Sequence, residues 1–215
     1  MIGNLKFRAL CAFAAVSLLA GCGNLLQSDS PRPETYRLGS GSTSTAAPAA
    51  AAGGVTALGL TVARPRAPVA LDTDRIAVLA AGSRFDYYAG VRWAEPAPQM
   101  LQQNLVAALE RSGRFAAVFA APARVPAELM LDVELRRFEV DATAGGAPVV
   151  HVMVQASLVD ARRMLRIASF TSEAAVPAGG NRRAAIIAAF DRASAEVVGD
   201  VVSRASDAAT KLPAN

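Results

Sequence analysis

Asp132, Glu134, Glu139 and Asp141 crowd one stretch of the chain, and paired carboxylates are a common means of general acid–base work. That chemistry needs carboxyl groups converging in a pocket that pushes their pKa values apart. Asp132 and Glu134 instead alternate with Leu131, Val133 and Leu135, the pattern of a strand with one face in water, so they read as a solvated face. His151, the single histidine, sits among Val149, Val150 and Val152 and reads as structural rather than as a base or ligand. One histidine also leaves no His-rich metal site and no conventional Ser-His-Asp triad. No Gly-rich loop precedes a lysine, which removes a P-loop and its ATP hydrolysis. The expectation is a chain with no catalytic residues, no metal and no cofactor.

The segment Phe85-Asp86-Tyr87-Tyr88-Ala89-Gly90-Val91-Arg92-Trp93-Ala94-Glu95-Pro96 is the most distinctive in the sequence. Tyr87, Tyr88 and Trp93 join apolar bodies to polar tips, a composition suited to interfaces and lipid head-group zones. Arg92 offers a planar fork of donors for a carboxylate or phosphate. One reading makes Tyr87, Tyr88, Arg92 and Trp93 a partner-binding surface. The other, ranked slightly ahead on residue types, makes them a wedge between a sheet and the first helix, with Glu95 near that helix's positive end.

The elements that would position these groups follow from periodicity. Leu58, Leu60 and Val62 alternate as a strand, Arg75–Leu79 is a short second strand and Phe85–Trp93 a third strand or an extended pair. Glu95-Pro96 opens a helix with its apolar stripe at Met100, Leu101, Leu105, Ala108 and Leu109, and Gly113 stops it. Phe115–Phe119 is a brief strand. Glu128–Asp141 is the clearest one, but its apolar set slips by one residue near Arg136-Arg137, which predicts a β-bulge. Val149–Val159 and Met164–Val176 make a hairpin, and Arg182 to about Thr210 is a long helix with Ile186, Ile187, Phe190, Val197, Val201 and Ala205 at helical spacing. Strands, helix, strands, helix predicts an α+β two-layer sandwich, a largely antiparallel sheet with two main helices on one face.

At the N-terminus, Lys6 and Arg8 precede an apolar stretch, Ala9–Leu18, of about ten residues, half of what a membrane span needs. Leu19-Ala20-Gly21-Cys22 follows and resembles the lipobox of bacterial lipoproteins, whose cysteine is acylated before cleavage. Residues 1–21 then read as signal peptide and 22–54 as lipidated N-terminus and linker. The Gly/Ser/Thr and Ala/Pro composition of 39–54 cannot bury enough apolar surface to offset chain entropy, although Tyr36-Arg37-Leu38 before it could dock on the domain. Residues 55–215 read as the domain. Cys11 leaves with the signal and Cys22 carries the lipid, so no thiol remains for a disulfide, zinc or nucleophile. The formal charge of +4 includes Lys6 and Arg8, and the arginines are scattered, so nucleic acid is not an expected partner.

From the lipobox onwards the order of motifs resembles a known family. Tyr36-Arg37-Leu38, Leu58-x-Leu60-x-Val62, Leu71–Leu79 with Asp72 and Arg75-Ile76, the aromatic segment, Trp93-Ala94-Glu95-Pro96, and Leu101, Leu105 and Leu109 are similar to the ABC-type transport auxiliary lipoproteins linked to MCE-domain proteins. The resemblance implies a non-catalytic periplasmic accessory protein held through acyl chains (palmitate among them) on Cys22, which docks on the MCE-domain protein and the ABC permease and ATPase subunits of an envelope lipid-transport system. Gly23, where an aspartate would favour the inner membrane, implies the outer membrane. Self-association is left open. So are a periplasmic small-ligand or lipid carrier and a structural envelope lipoprotein.

Overall fold

A computed structural model describes residues 32–39 and 56–212, and all of these but Arg32 belong to one compact unit, Pro33–Asn215. The signal segment, Cys22 and residues 40–54 of the expected linker lie outside the described residues. The elements run β1 (Glu34–Tyr36), β2 (Gly59–Val62), β3 (Arg75–Ala80), β4 (Arg84–Trp93), α1 (Ala97–Ser112), β5 (Ala117–Ala120), β6 (Leu129–Asp141), β7 (Val149–Asp160), β8 (Leu165–Pro177) and α2 (Arg183–Thr210).

The eight strands of the described residues share one sheet, built around β6. Its apolar residues Leu129, Leu131, Val133 and Leu135 are buried, and the expected slip is a register shift between Leu135 and Arg137 that returns Phe138 and Val140 to the core. One edge of β6 carries β7 antiparallel along its whole length, and β8 follows in the same sense. The other edge is shared. The beginning of β6 pairs with β2 and its end with β3, both parallel, and Ala63–Arg66 bridges the interval through Ala63 N–H to the Leu131 carbonyl and Arg66 N–H to the Val133 carbonyl. The sheet is thus mixed: its long ladders are antiparallel, while β1 on β4, β2 on β5 and both β6 junctions are short and parallel.

The helices form the second layer and touch each other, α1 over β2 and β5, α2 over β7 and β8. Pro96 caps α1, where a missing N–H costs nothing, and Gly113 ends it in the left-handed region at φ 62°. Gln102 is buried despite its amide because its Nε2 donates to the carbonyls of Val62 and Ala121, at 3.0 and 3.1 Å, tying α1 to the ends of β2 and β5. Leu105 is among the fully buried core side chains. Leu105→Ala should therefore destabilise the unit by about 2–5 kcal/mol through lost transfer energy and a residual cavity, read by urea unfolding of residues 33–215.

β8 is an edge strand, and α2 covers part of its open side. Arg204 donates to the Thr171 carbonyl and Arg192 to that of Pro177, at 2.9 and 3.1 Å, so two guanidinium groups occupy acceptors that a foreign strand would seek.

Candidate functional site: the β4 bulge and the β1 junction

β4 does not run evenly beside β3. Between the pairs Ala77–Tyr87 and Arg75–Arg92, β3 advances two residues and β4 five. The excess bulges over Tyr88–Val91, with Gly90 at φ 70°, a conformation that favours glycine, and the Arg183 side chain 3.5 Å from where a Cβ would stand. The bulge lets Val91 and Trp93 turn inwards while Arg92 turns out.

Trp93 is wholly buried, at 0% exposure, and so is removed from the candidate contact surface. Its ring meets Phe190 of α2 at 5.1 Å and 86°, and Phe138 of β6 at 5.7 Å. Phe138 and Phe190 stand 4.8 Å apart, which closes a three-ring cluster between sheet and helix. Trp93 thus packs between the sheet and the helix layer, with its ring contact there on Phe190 of the second helix. Among the described residues indole Nε1 has no hydrogen-bond partner, and packing against the two phenylalanine rings holds the indole.

Tyr87 and Tyr88 take different partners. Tyr87 donates its hydroxyl to the Ala70 carbonyl at 3.0 Å, and its ring lies under the Arg75 guanidinium at 3.8 Å and edge-on to Phe85. Tyr88 is half-buried beside Ile76, Val91, Ile186 and Ile187 around a cavity of about 10 Å³, and donates to Asn181 Oδ1 at 3.3 Å. Burial raises its pKa, because the phenolate would lose solvation. Arg92 stays at the surface, its side chain 51% exposed and 3.4 Å from the Asp74 carboxylate. An exposed pair of this kind contributes little, so Arg92 can exchange Asp74 for another carboxylate at small cost. The four residues therefore do not converge on one patch.

The structure adds a neighbour that residue patterns left as a possible docking segment. β1 lies parallel to β4 with Tyr36 opposite Trp93, the Ala94 N–H donates to the Tyr36 carbonyl at 2.7 Å, and Leu38 is buried. Gly39 N–H donates to Asp191 of α2 at 2.8 Å, and Glu34 pairs with Arg183 at 3.1 Å. The domain thus takes in residues ahead of Val55, where the sequence reading began it. Three residues of strand with one apolar side chain pointing inwards are too short for a periodicity signal.

On the uncovered face of the sheet the carboxylates are paired as a solvated face requires: Asp132 with Arg66 at 2.9 Å and Glu134 with Arg136 at 3.6 Å. Arg137 holds Glu139 at 2.8 Å and approaches His151 Nδ1 at 3.2 Å. Because arginine only donates, Nδ1 accepts, which leaves Nε2 to carry the proton, 4.0 Å from Asp141. Asp141 accepts from the Thr143 hydroxyl and N–H at 2.6 and 2.9 Å, and these bonds, the hydroxyl first, hold its carboxyl below the usual range. Among the described residues no His/Cys/Asp/Glu group is arranged to hold a metal, and no helix is long and apolar enough to cross a membrane.

The family model described as the ABC-type transport auxiliary lipoprotein component matches residues 36–202, from β1 into α2. The chain belongs to this family. The match starts at Tyr36, the last residue of β1, which stands opposite Trp93. A crystal structure of a protein from Xanthomonas campestris is 30% identical, with TM-score 0.70, over 74% of this chain and 89% of that one. Two more distant structures share the fold: an uncharacterized protein, 14% identical with TM-score 0.60 over 81% of this chain and 99% of that one, and a hypothetical protein from Chlamydia trachomatis, 9% identical with TM-score 0.52 over 72% and 98%. No curated protein matches. The family makes this an envelope-associated lipoprotein auxiliary to transport.

Proposed function

We propose that the protein is a non-catalytic accessory subunit of an ABC/MCE-type lipid-transport system, acylated on Cys22 at the inner leaflet of the outer membrane and docked on periplasmic transport subunits. The observation that carries this reading is the β1 junction. With Glu34–Leu38 built into the domain, only the residues between Cys22 and Glu34 separate it from the anchor, a reach of at most about 40–43 Å for a fully extended chain. A domain held this close to the bilayer can meet a membrane-bound transporter but not range freely through the periplasm. A filled core favours docking over carriage of a small ligand: Trp93, Phe138 and Phe190 occupy the space between sheet and helices, and the larger cavities, of about 520 and 200 Å³, open at the surface.

Within this reading Arg92 and Tyr88 are the proposed contacts on the transport subunits, with Tyr87 supporting the bulge and Trp93 its core anchor. Arg92→Ala should weaken binding of residues 33–215 to a purified MCE-domain partner by about 10-fold, the loss of one modest interface anchor, with unchanged thermal unfolding. Tyr88→Ala should weaken it similarly and also lower stability, because its ring covers Ile76 and Ile186. Wild-type binding by both variants would remove the β4 bulge from the interface.

A further inference from the structure

The β7–β8 hairpin ends in Asp160-Ala161-Arg162-Arg163-Met164-Leu165-Arg166, and its geometry does not serve the core. Asp160 Oδ1 accepts the N–H groups of Arg162 and Arg163 at 3.0 and 2.9 Å, which fixes the turn. Met164 closes it at φ 53°, a left-handed conformation that glycine would adopt without strain. The turn thus keeps a large apolar side chain where a small residue fits the backbone better, and turns it outwards. Met164 is 74% exposed and Leu165 beside it 62%. Arg162, Arg163, Arg166 and Lys211 are exposed around them, and Leu212 borders both surface cavities that flank the tip.

The charges there are unbalanced. With Asp207 committed to Arg114 at 2.8 Å, Glu128 and Asp160 are the carboxylates beside these four cations, in loose pairs at 3.5 Å with Arg162 and 3.8 Å with Arg163. Among the described residues Arg166 and Lys211 have no carboxylate partner, which leaves them for an external anion.

We infer that this tip is a second membrane contact, which places Met164 and Leu165 among the acyl chains of an anionic bilayer and Arg163, Arg166 and Lys211 against lipid phosphates. An apolar pair ringed by cations matches the head-group boundary, where the apolar part gains by insertion and the cations by the negative surface potential. The tip stands beside Lys211 and Leu212, at the C-terminal end of α2. The anchor proposed on Cys22 would add to this contact by raising its local concentration, but the contact belongs to the domain itself and does not depend on acylation.

The test uses residues 33–215, which contain the whole described core and lack the anchor, in flotation with vesicles of phosphatidylglycerol and phosphatidylcholine and with vesicles of phosphatidylcholine alone. The domain should float with the anionic vesicles at low salt and not with the neutral ones. Arg163→Gln with Arg166→Gln should lower the bound fraction by at least about 10-fold. Met164→Gly should lower it too while leaving thermal unfolding unchanged or raised, since it relieves the backbone; loss of binding through misfolding would show the opposite sign. Failure of the wild-type domain to float with anionic vesicles, or equal flotation of these variants, would overturn the inference. So would protection of the tip from hydrogen exchange by a transport subunit but not by anionic vesicles, which would assign it to a protein. None of these results depends on whether Cys22 is acylated, which labelled fatty acid reports separately.

Discussion

Trp93→Ala is expected to lower the stability of residues 33–215 by about 3–5 kcal/mol, and the melting temperature by roughly 6–20 °C. The ring is fully enclosed between Phe138 of β6 and Phe190 of α2, and its strand neighbour is Tyr36 of β1, so the substitution opens a cavity where three elements meet. The site has little means of collapsing, because β4 is pinned there by Trp93 N–H to the Asp74 carbonyl at 2.7 Å. Trp93→Phe removes no hydrogen bond, since Nε1 has no partner, and should cost clearly less. Urea unfolding with an unchanged m-value checks both. A destabilisation below about 1 kcal/mol would mean that the three-ring cluster does not join sheet to helix.

Cys22→Ser should abolish incorporation of labelled fatty acid and leave unprocessed precursor, an all-or-none effect on the proposed anchor. The Leu19-Ala20-Gly21-Cys22 sequence ends an apolar stretch too short to span a bilayer, so attachment falls to the acyl chains. Each buried CH₂ contributes about 0.8 kcal/mol and one chain alone binds only reversibly, so several chains are needed to hold the protein in place. Label in the serine variant at the wild-type level would exclude Cys22 as the acylated residue.

What could be read from residues alone depended on how far each signal extends along the chain. The long elements, α1, β6 with its bulge at Arg136-Arg137, the β7–β8 hairpin and α2, repeat their apolar pattern several times, so strand period and helix period separate clearly. Their partners across the sheet were not legible. That β2 and β3 share one edge of β6 in parallel is set by the Ala63–Arg66 connection, whose backbone bonds have no periodic signature. Gln102 carries no sequence signal for its role, because amide side chains normally mark a helix's solvent face, whereas here it satisfies two strand-end carbonyls. The aromatic segment was recognised as special, but residue types could not separate inward from outward. The Tyr88–Val91 bulge reverses the simple alternation, burying Trp93 and exposing Arg92. The hairpin tip was visible only as a turn; its exposed Met164-Leu165 pair depends on the left-handed backbone at Met164.

Association with a transport complex is the central claim, and it is tested most directly on membranes with the anchor intact. The acylated protein is extracted in mild detergent and captured through a C-terminal tag, and the MCE-domain and permease subunits are quantified by mass spectrometry. The account predicts that both are recovered with the wild type, that recovery falls by about 10-fold with Arg92→Ala, and that it is lost with Cys22→Ser. Recovery of folded, acylated protein without those subunits, while they still recover with one another, would contradict it.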